Sequence, residues 1–179
     1  MDIGNDCLVS VDGTDFEIFN KKPFCKAWFS HKFRGPGVRY EVGLNIMSGD
    51  IVWIFGPCPC GSHCDLKIFR EAMKKELEKG EHVEADDGYR GEPGAVNTTK
   101  GPFAYTKDEK RMKQRVRSRQ ETVNRRFKQF NALKRVFRHK IVKHSMVFRA
   151  VAVITQLDIE LGNKLFQVKY KWKNNRFHY

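Results

Sequence analysis

The sequence predicts an α/β fold in which helices cover a mixed sheet, and three stretches carry that reading. Val38, Tyr40, Val42, Leu44 and Ile46 alternate with Arg39, Glu41, Gly43 and Asn45, the period of two that marks a strand with one buried face. Leu66, Phe69, Met73 and Leu77 recur at helical spacing. Val116, Val123, Phe127, Phe130 and Phe137 form a longer apolar stripe at about 100° per residue. Strands and helices interleaved in this way favour a covered sheet over a bundle.

Taken in order, Leu8, Val9 and Val11 read as a short strand that Asp12-Gly13-Thr14 ends, because Asp-Gly is a strong turn pair. Ala27-Trp28-Phe29 is a weak second strand, and Arg34-Gly35-Pro36-Gly37 is a break. The alternating strand follows, then a turn over Met47 to Asp50. Ile51-Val52-Trp53-Ile54-Phe55 is continuously apolar, like a strand covered on both faces. Asp65 opens a helix that Lys79-Gly80 closes. His82 to Asp86 is a short strand, and 88–105 is loop, rich in Gly, Pro, Asn and Thr. Lys107 to about Phe137 is a long basic helix or helix pair. Val147 to Leu157 reads as a buried helix, and Leu165 to Tyr170 as a closing strand. The expected organisation is one domain over 1–179, with its core at 8–168.

At 179 residues the chain is long enough to bury a core. No apolar run approaches the roughly 18–20 residues of a membrane span. The opening MDIGNDCLVSVDGT lacks the basic and apolar regions of a secretory signal. Five cysteines, an odd number without such a signal, point to reduced thiols inside a cell. Net charge is +13, and its placement is informative. Residues 107–149 hold 16 Lys/Arg against 3 Asp/Glu, while the remaining 18 cations are matched by 18 acids. A confined basic block with so few compensating acids favours a polyanion, nucleic acid above all, over a merely solvated helix face.

Asp12 and Asp86 fall where predicted strands meet turns, Asp65 at a helix start and Glu121 on a helix. Carboxylates gathered from distant elements can hold Mg²⁺ or Mn²⁺, which prefer oxygen ligands and share them with phosphate. Each acid also has an ordinary role: Asp12 and Asp86 as turn formers, Asp65 as a cap, Glu121 paired with Arg117 or Arg125. Periodicity alone leaves both readings open. Cys58-Pro-Cys60-Gly-Ser-His63-Cys64 raises structural zinc, but Cys-x-Cys is tighter than the usual zinc spacing. Reduced cysteines lining a strand-to-helix loop are the preferred reading.

Four local words occur in order: Val9-Ser-Val-Asp12-Gly-Thr14, Gly61-Ser-His-Cys-Asp65, Glu84-Ala-Asp86-Asp-Gly-Tyr-Arg-Gly91 and Arg119-Gln-Glu121-Thr-Val-Asn-Arg-Arg-Phe-Lys128. They resemble the signature blocks of DDE superfamily endonucleases, the group related to PIF/Harbinger transposases. Arg138-His139, His144 and Phe148 to Gln156 resemble that family's closing segment. The resemblance implies an RNase H-like fold, a mixed five-stranded sheet flanked by helices. It implies a nuclease or transposase in which Asp12, Asp86 and Glu121 are catalytic metal ligands, with Asp65 a further metal-associated acid and two Mg²⁺ or Mn²⁺ ions. The Ala-Asp pairing selects Asp86 over Asp87. DNA is the implied partner, with Arg117, Arg125 and Lys128 on its backbone, and a homo-oligomer or a separate DNA-recognition protein is expected. An N-terminal DNA-recognition domain is expected to be absent, and the site of action to be the nucleus. The competing expectation is a catalytically inactive, domesticated or truncated DNA-binding protein. An RNA-binding module is weaker, since no ribonucleoprotein word is present.

Overall fold

The structure, a computed structural model, describes residues 7–19, 23–98 and 106–168. Six strands form one mixed sheet: β1 (Val9–Glu17), β2 (Phe29–Ser30), β3 (Gly35–Asn45), β4 (Ile51–Pro59), β5 (Val83–Ala85) and β6 (Val96–Asn97). The helices are α1 (Asp65–Glu71), α2 (Lys107–Phe127), α3 (Asn131–Lys134) and α4 (Ile141–Glu160). This is the predicted α/β, RNase H-like arrangement, with six strands where five were expected. The sheet runs β2-β3-β1-β5-β6, and β4 lies against β3. β1 is antiparallel to β3, and β3 to β4, whereas β5 is parallel to β1 and β6 to β5. Among the described residues, no helix is long and apolar enough to cross a membrane.

The alternating residues of β3 are buried as predicted: Val38, Tyr40, Val42, Leu44 and, just beyond the strand, Ile46. The first four pack with Phe16, Val123, Phe127 and Phe148 into the main core, between the sheet and the α2–α4 layer, and Ile46 packs with Cys7, Val116 and Val168 in a smaller cluster. Tyr40 stacks on Phe148 with ring centroids 3.9 Å apart. Gln120 anchors α2 to the sheet, its Nε2 donating to the Val42 carbonyl and its Oε1 accepting from Ser10 Oγ. Thr106 and Glu109 start that helix with a capping box.

Several expectations are corrected by tertiary context. β1 does not end at Asp12-Gly13 but runs on to Glu17, because β3 pairs with it throughout, Asp12 opposite Val42 and Gly13 opposite Glu41. The expected break at 34–37 is confined to Arg34, whose φ is 52°, and β3 starts at Gly35. Residues 26–28 form a 3-10 turn rather than a strand. β3 is buried on both faces, Glu41 included, because a second core containing Val11, Phe69, Met73 and Tyr89 covers the other side. β4 is the partly exposed strand, since it hydrogen-bonds only to β3 and leaves Val52 in solvent. The helix from Asp65 breaks at Ala72, whose backbone leaves helical geometry, and resumes as a 3-10 turn over Met73–Lys75. The loop over 88–98 contains β6. The basic segment is a helix pair, broken between Phe127 and Asn131. The last helix is longer than predicted and buries only one of its two apolar faces. Residues 165–168 form no strand, although Leu165 and Val168 are buried; the rest of that expected strand lies outside the described residues.

His144 sits in the main core, sharing a 2.8 Å hydrogen bond between its Nδ1 and the Tyr40 hydroxyl. Burial pushes its pKa down from 6.5 to about 4. The unfolded chain therefore binds this proton first, so the imidazole's contribution to stability is present above pH 6.5 and is lost as pH falls through about 4. Thermal melts between these pH values should show declining stability, and His144→Gln should flatten that decline. An equal slope in the variant would contradict the assignment.

Candidate active site

The site is created by unequal strand lengths. β5 pairs with β1 only as far as Val11↔Ala85. The next residues, Asp12 and Asp86, stand side by side just beyond the paired stretch, at the carboxyl end of β5. That is where open α/β sheets place ligands. Asp86 is fixed locally, its Oδ1 accepting from the Gly88 backbone N–H at 2.7 Å in the 3-10 turn over Asp87–Tyr89. Asp65, the first residue of α1, reaches the same notch from the other side of β1. A Cβ on Gly13 would collide with Asp65 Oδ1, and one on Gly88 would lie 3.3 Å from Asp65 Oδ2. Both glycines are therefore spaces that the Asp65 carboxylate needs.

Asp12, Asp65, Asp86 and Glu121 all line one cleft of about 670 Å³, with Arg39, Lys32, Asn124, Arg125 and Lys128. Arg117 lies outside it, in a small adjoining cavity of about 70 Å³ that also touches Asp12, Asp86 and Glu121. The structure thus brings the four predicted acids to one cleft, but not equally. Glu121 is exposed on α2. One turn further along, Asn124 makes the direct contact, its Nδ2 donating to Asp12 Oδ2 at 2.8 Å. Asn124 Oδ1 is buried without a hydrogen-bond partner.

Burial pushes the Asp12 carboxyl up to about 7, and the neighbouring charges of Asp86 and Asp65 add to the rise. Asp65 is also raised, by burial first, against the opposing pull of Arg39. Arg39 organises this side of the cleft. Its guanidinium donates to both Asp15 oxygens at 2.6 and 3.0 Å and lies 3.2 Å from Asp65 Oδ1. Burial alone would raise Asp15, but the hydrogen bonds and charge of Arg39 win, and its pKa is lowered. Beneath these groups Glu41 is fully buried, accepting a 3.0 Å hydrogen bond from the Trp53 indole, and burial pushes it up to about 8.

The basic segment divides its work. Lys113 is buried against Glu84 at 2.6 Å. Arg119 donates to the carbonyls of Ile46 and Phe166, Arg115 to that of Gln167, and Arg126 pairs with Asp158. These cations hold the fold together. Arg125 and Lys128 instead face the cleft. The cysteines are all free thiols, with Cys58 and Cys60 buried and Cys64 exposed. Burial pushes Cys60 up to about 12, the opposite of what a zinc thiolate requires.

Sequence reasoning missed Asn124, Arg39 and Glu41. Asn124 stands within the Arg119–Lys128 word, three residues after Glu121 and hence on the same side of the helix. That spacing was the available signal.

Residues 11–156 match the family described as DDE superfamily endonuclease. The chain belongs to the DDE superfamily endonucleases. That makes it a transposase-like nuclease domain, and the match spans β1 to α4, every element that lines the cleft. No curated protein and no solved structure matches the chain.

If Asp12, Asp65 and Asp86 share one field, removing a neighbour's charge must lower the Asp12 pKa. Carboxyl carbon NMR of the metal-free protein should find Asp12 titrating near 7. Asp86→Asn should lower it, with burial and the Asp65 charge still holding it above 3.8; an unchanged titration would mean the acids do not converge.

Proposed function

We propose that this DDE superfamily endonuclease is a divalent-metal-dependent core that cleaves DNA phosphodiesters or transfers DNA strands. The proposed catalytic ligands are Asp12, Asp86 and Glu121, with Asp65 as a further metal-associated acid. The observation that carries this reading is the shared cleft, where distant elements deliver four carboxylates to one place. Among the described residues, no three His, Cys, Asp or Glu side chains stand as a ready-made metal-binding group. The donor chemistry nevertheless fits. The donors are all oxygen, Asp65 Oδ1 accepts no hydrogen bond although Arg39 stands 3.2 Å away, and a cation would offset the burial and the neighbouring Asp86 and Asp65 charges that raise Asp12. Asp12, Asp86 and Glu121, with Asp65, would hold Mg²⁺ or Mn²⁺, two ions in this reading, which would supply Lewis-acid chemistry for phosphodiester cleavage.

The chain's own residues supply placement. Asn124 holds the Asp12 carboxylate by its 2.8 Å bond, and Arg39 keeps Asp15 and Asp65 in register. Arg125 and Lys128 at the cleft, with Arg117 beside it, suit non-bridging phosphate oxygens of a DNA backbone. The same reading places its action in the nucleus, with a homo-oligomer or a separate DNA-recognition protein as partner. The basic run from Lys110 to Arg119 is the proposed import signal.

A second reading, a catalytically inactive DNA-binding descendant, is favoured by the exposure of Glu121 and by the missing ready-made metal group. Plasmid nicking with Mg²⁺ or Mn²⁺ separates the two. Wild type should nick, and Asp12→Ala should lose roughly a hundredfold or more, the scale of one preorganised electrostatic group. Equal, background-level nicking by both, with DNA binding intact, would overturn the enzyme. In either case, Arg125→Ala and Lys128→Ala should each reduce the slope of log affinity against log salt by about one; unchanged slopes would remove the cleft from the DNA path.

A further inference from the structure

Part of the cleft lining comes from β2 and the turn after it: Phe29, His31 and Lys32. The Phe29 and His31 rings stand edge to face, with centroids 5.1 Å apart and 86° between their planes. Rings at right angles form a corner, so a flat group stacked on one meets the other edge-on, the arrangement aromatic pairs favour. His31 is exposed and Phe29 partly so. The corner is held in place. A Cβ on Gly61 would collide with the backbone of Lys26 and Phe29, and the Ala27 carbonyl accepts from the Gly61 N–H at 2.9 Å, clamping the segment to the loop after β4. Ser30, between the two rings in sequence, donates to Asp15 at 3.3 Å, and Asp15 is bonded to the Arg39 that stands beside Asp65. The aromatic corner and the acids therefore share one frame.

Lys32, in the same turn, and Lys128, at the end of α2, also line the cleft. Among the described residues neither has a carboxylate within ion-pair distance. Burial first, and then the charge of Lys32, lower the Lys128 pKa, so the two ammonium groups feel one another. Converging cations with no carboxylate between them suit a shared anion, and lysine binds phosphate as a point charge. A flat stacking corner beside a pair of cations matches the two halves of a nucleotide, base and phosphate. The cleft, about 670 Å³, is of the size that encloses a small-molecule ligand. It has room for a base with its phosphate, not for the width of a paired duplex.

We propose that this corner is a subsite for an unpaired nucleotide, its base stacked against Phe29 and His31 and its phosphate held between Lys32 and Lys128. The inference rests on the DNA reading above and narrows it: the strand inside the cleft is unpaired there. A base within a duplex has both faces covered by its neighbours and cannot enter the corner. Every base has a π-face, so stacking accepts any of them, and the subsite reads strandedness rather than sequence. Lysines alone would suit an intact duplex equally well, since phosphate contacts carry no such discrimination. The rings are what select the open strand.

Fluorescence anisotropy of the full chain without added metal, so that no strand is cut, tests this with three probes: an intact duplex, the same duplex with a short single-stranded gap, and that gapped duplex with abasic sites in the gap. Wild type should hold the gapped duplex at least about fivefold more tightly than the abasic one, the low end of what one stacked base contributes, and more tightly than the intact duplex. Phe29→Leu and His31→Ala should each erase most of the preference for bases over abasic sites while leaving the salt slope unchanged. Lys32→Ala should weaken both gapped probes alike and reduce that slope by about one. Equal binding of the gapped and abasic probes by wild type would overturn the subsite alone, as would a base preference that survives both ring substitutions. Failure of wild type to bind any probe would overturn the DNA reading with it. Should Phe29→Leu not fold, His31→Ala decides, because its side chain is exposed.

Discussion

The site depends on β1 outrunning β5. Where the parallel pairing stops at Val11↔Ala85, two carboxylates emerge together and α1 adds a third. Packing acids this way is unfavourable in itself: burial first, and then the charges of Asp86 and Asp65, push Asp12 up to about 7. The fold restrains the groups with fixed partners: the Gly88 amide for Asp86, Asn124 for Asp12, Arg39 beside Asp65. Anything that binds the folded chain and offsets that repulsion must also stabilise it.

Much of the fold was legible because burial leaves a period. The strand at 38–46 and the helix carrying Val123 and Phe127 were read correctly as elements, since Val38, Tyr40, Val42, Leu44, Val123 and Phe127 all bury in the main core. The failures share a cause: local chemistry was overruled by a neighbour that the sequence does not display. Asp12-Gly13 is a turn pair by propensity, yet β3 pairs straight through it, and Gly13 serves to admit the Asp65 carboxylate. Glu41 looked like the solvent side of a half-buried strand, but the second core covers it. In the site, the four acids were found through resemblance and the cleft gathers them. Asn124 carries no charge, so only its place one turn after Glu121 hinted at it, and its contact with Asp12 is what distinguishes it.

The charge excess shows the same limit. A count of cations in 107–149 cannot say which are spent inside the molecule. Lys113 and Arg119 are buried, and Arg115 and Arg126 bind carbonyls or an acid. Their long stems also cover apolar surface, as where Arg115 and Arg119 lie over the Phe166 ring. The charge left for a partner is therefore smaller than the net value suggests, and two of its cations, Arg125 and Lys128, stand in the cleft beside the acids. Juxtaposed in this way, the cations can hold a phosphate chain without neutralising the carboxylates, which Arg39 alone approaches closely.

α4 explains why an apolar helix can mislead. Hydrophobic on both sides, it reads from sequence as a fully buried element, because periodicity cannot separate a core face from an exposed apolar face. Only one side is buried. The exposed side carries Val142, Met146, Val153, Ile154 and Leu157, so composition alone cannot tell it from the side that Phe148, Val151 and Ile159 bury against the core; only the sheet decides which face is covered.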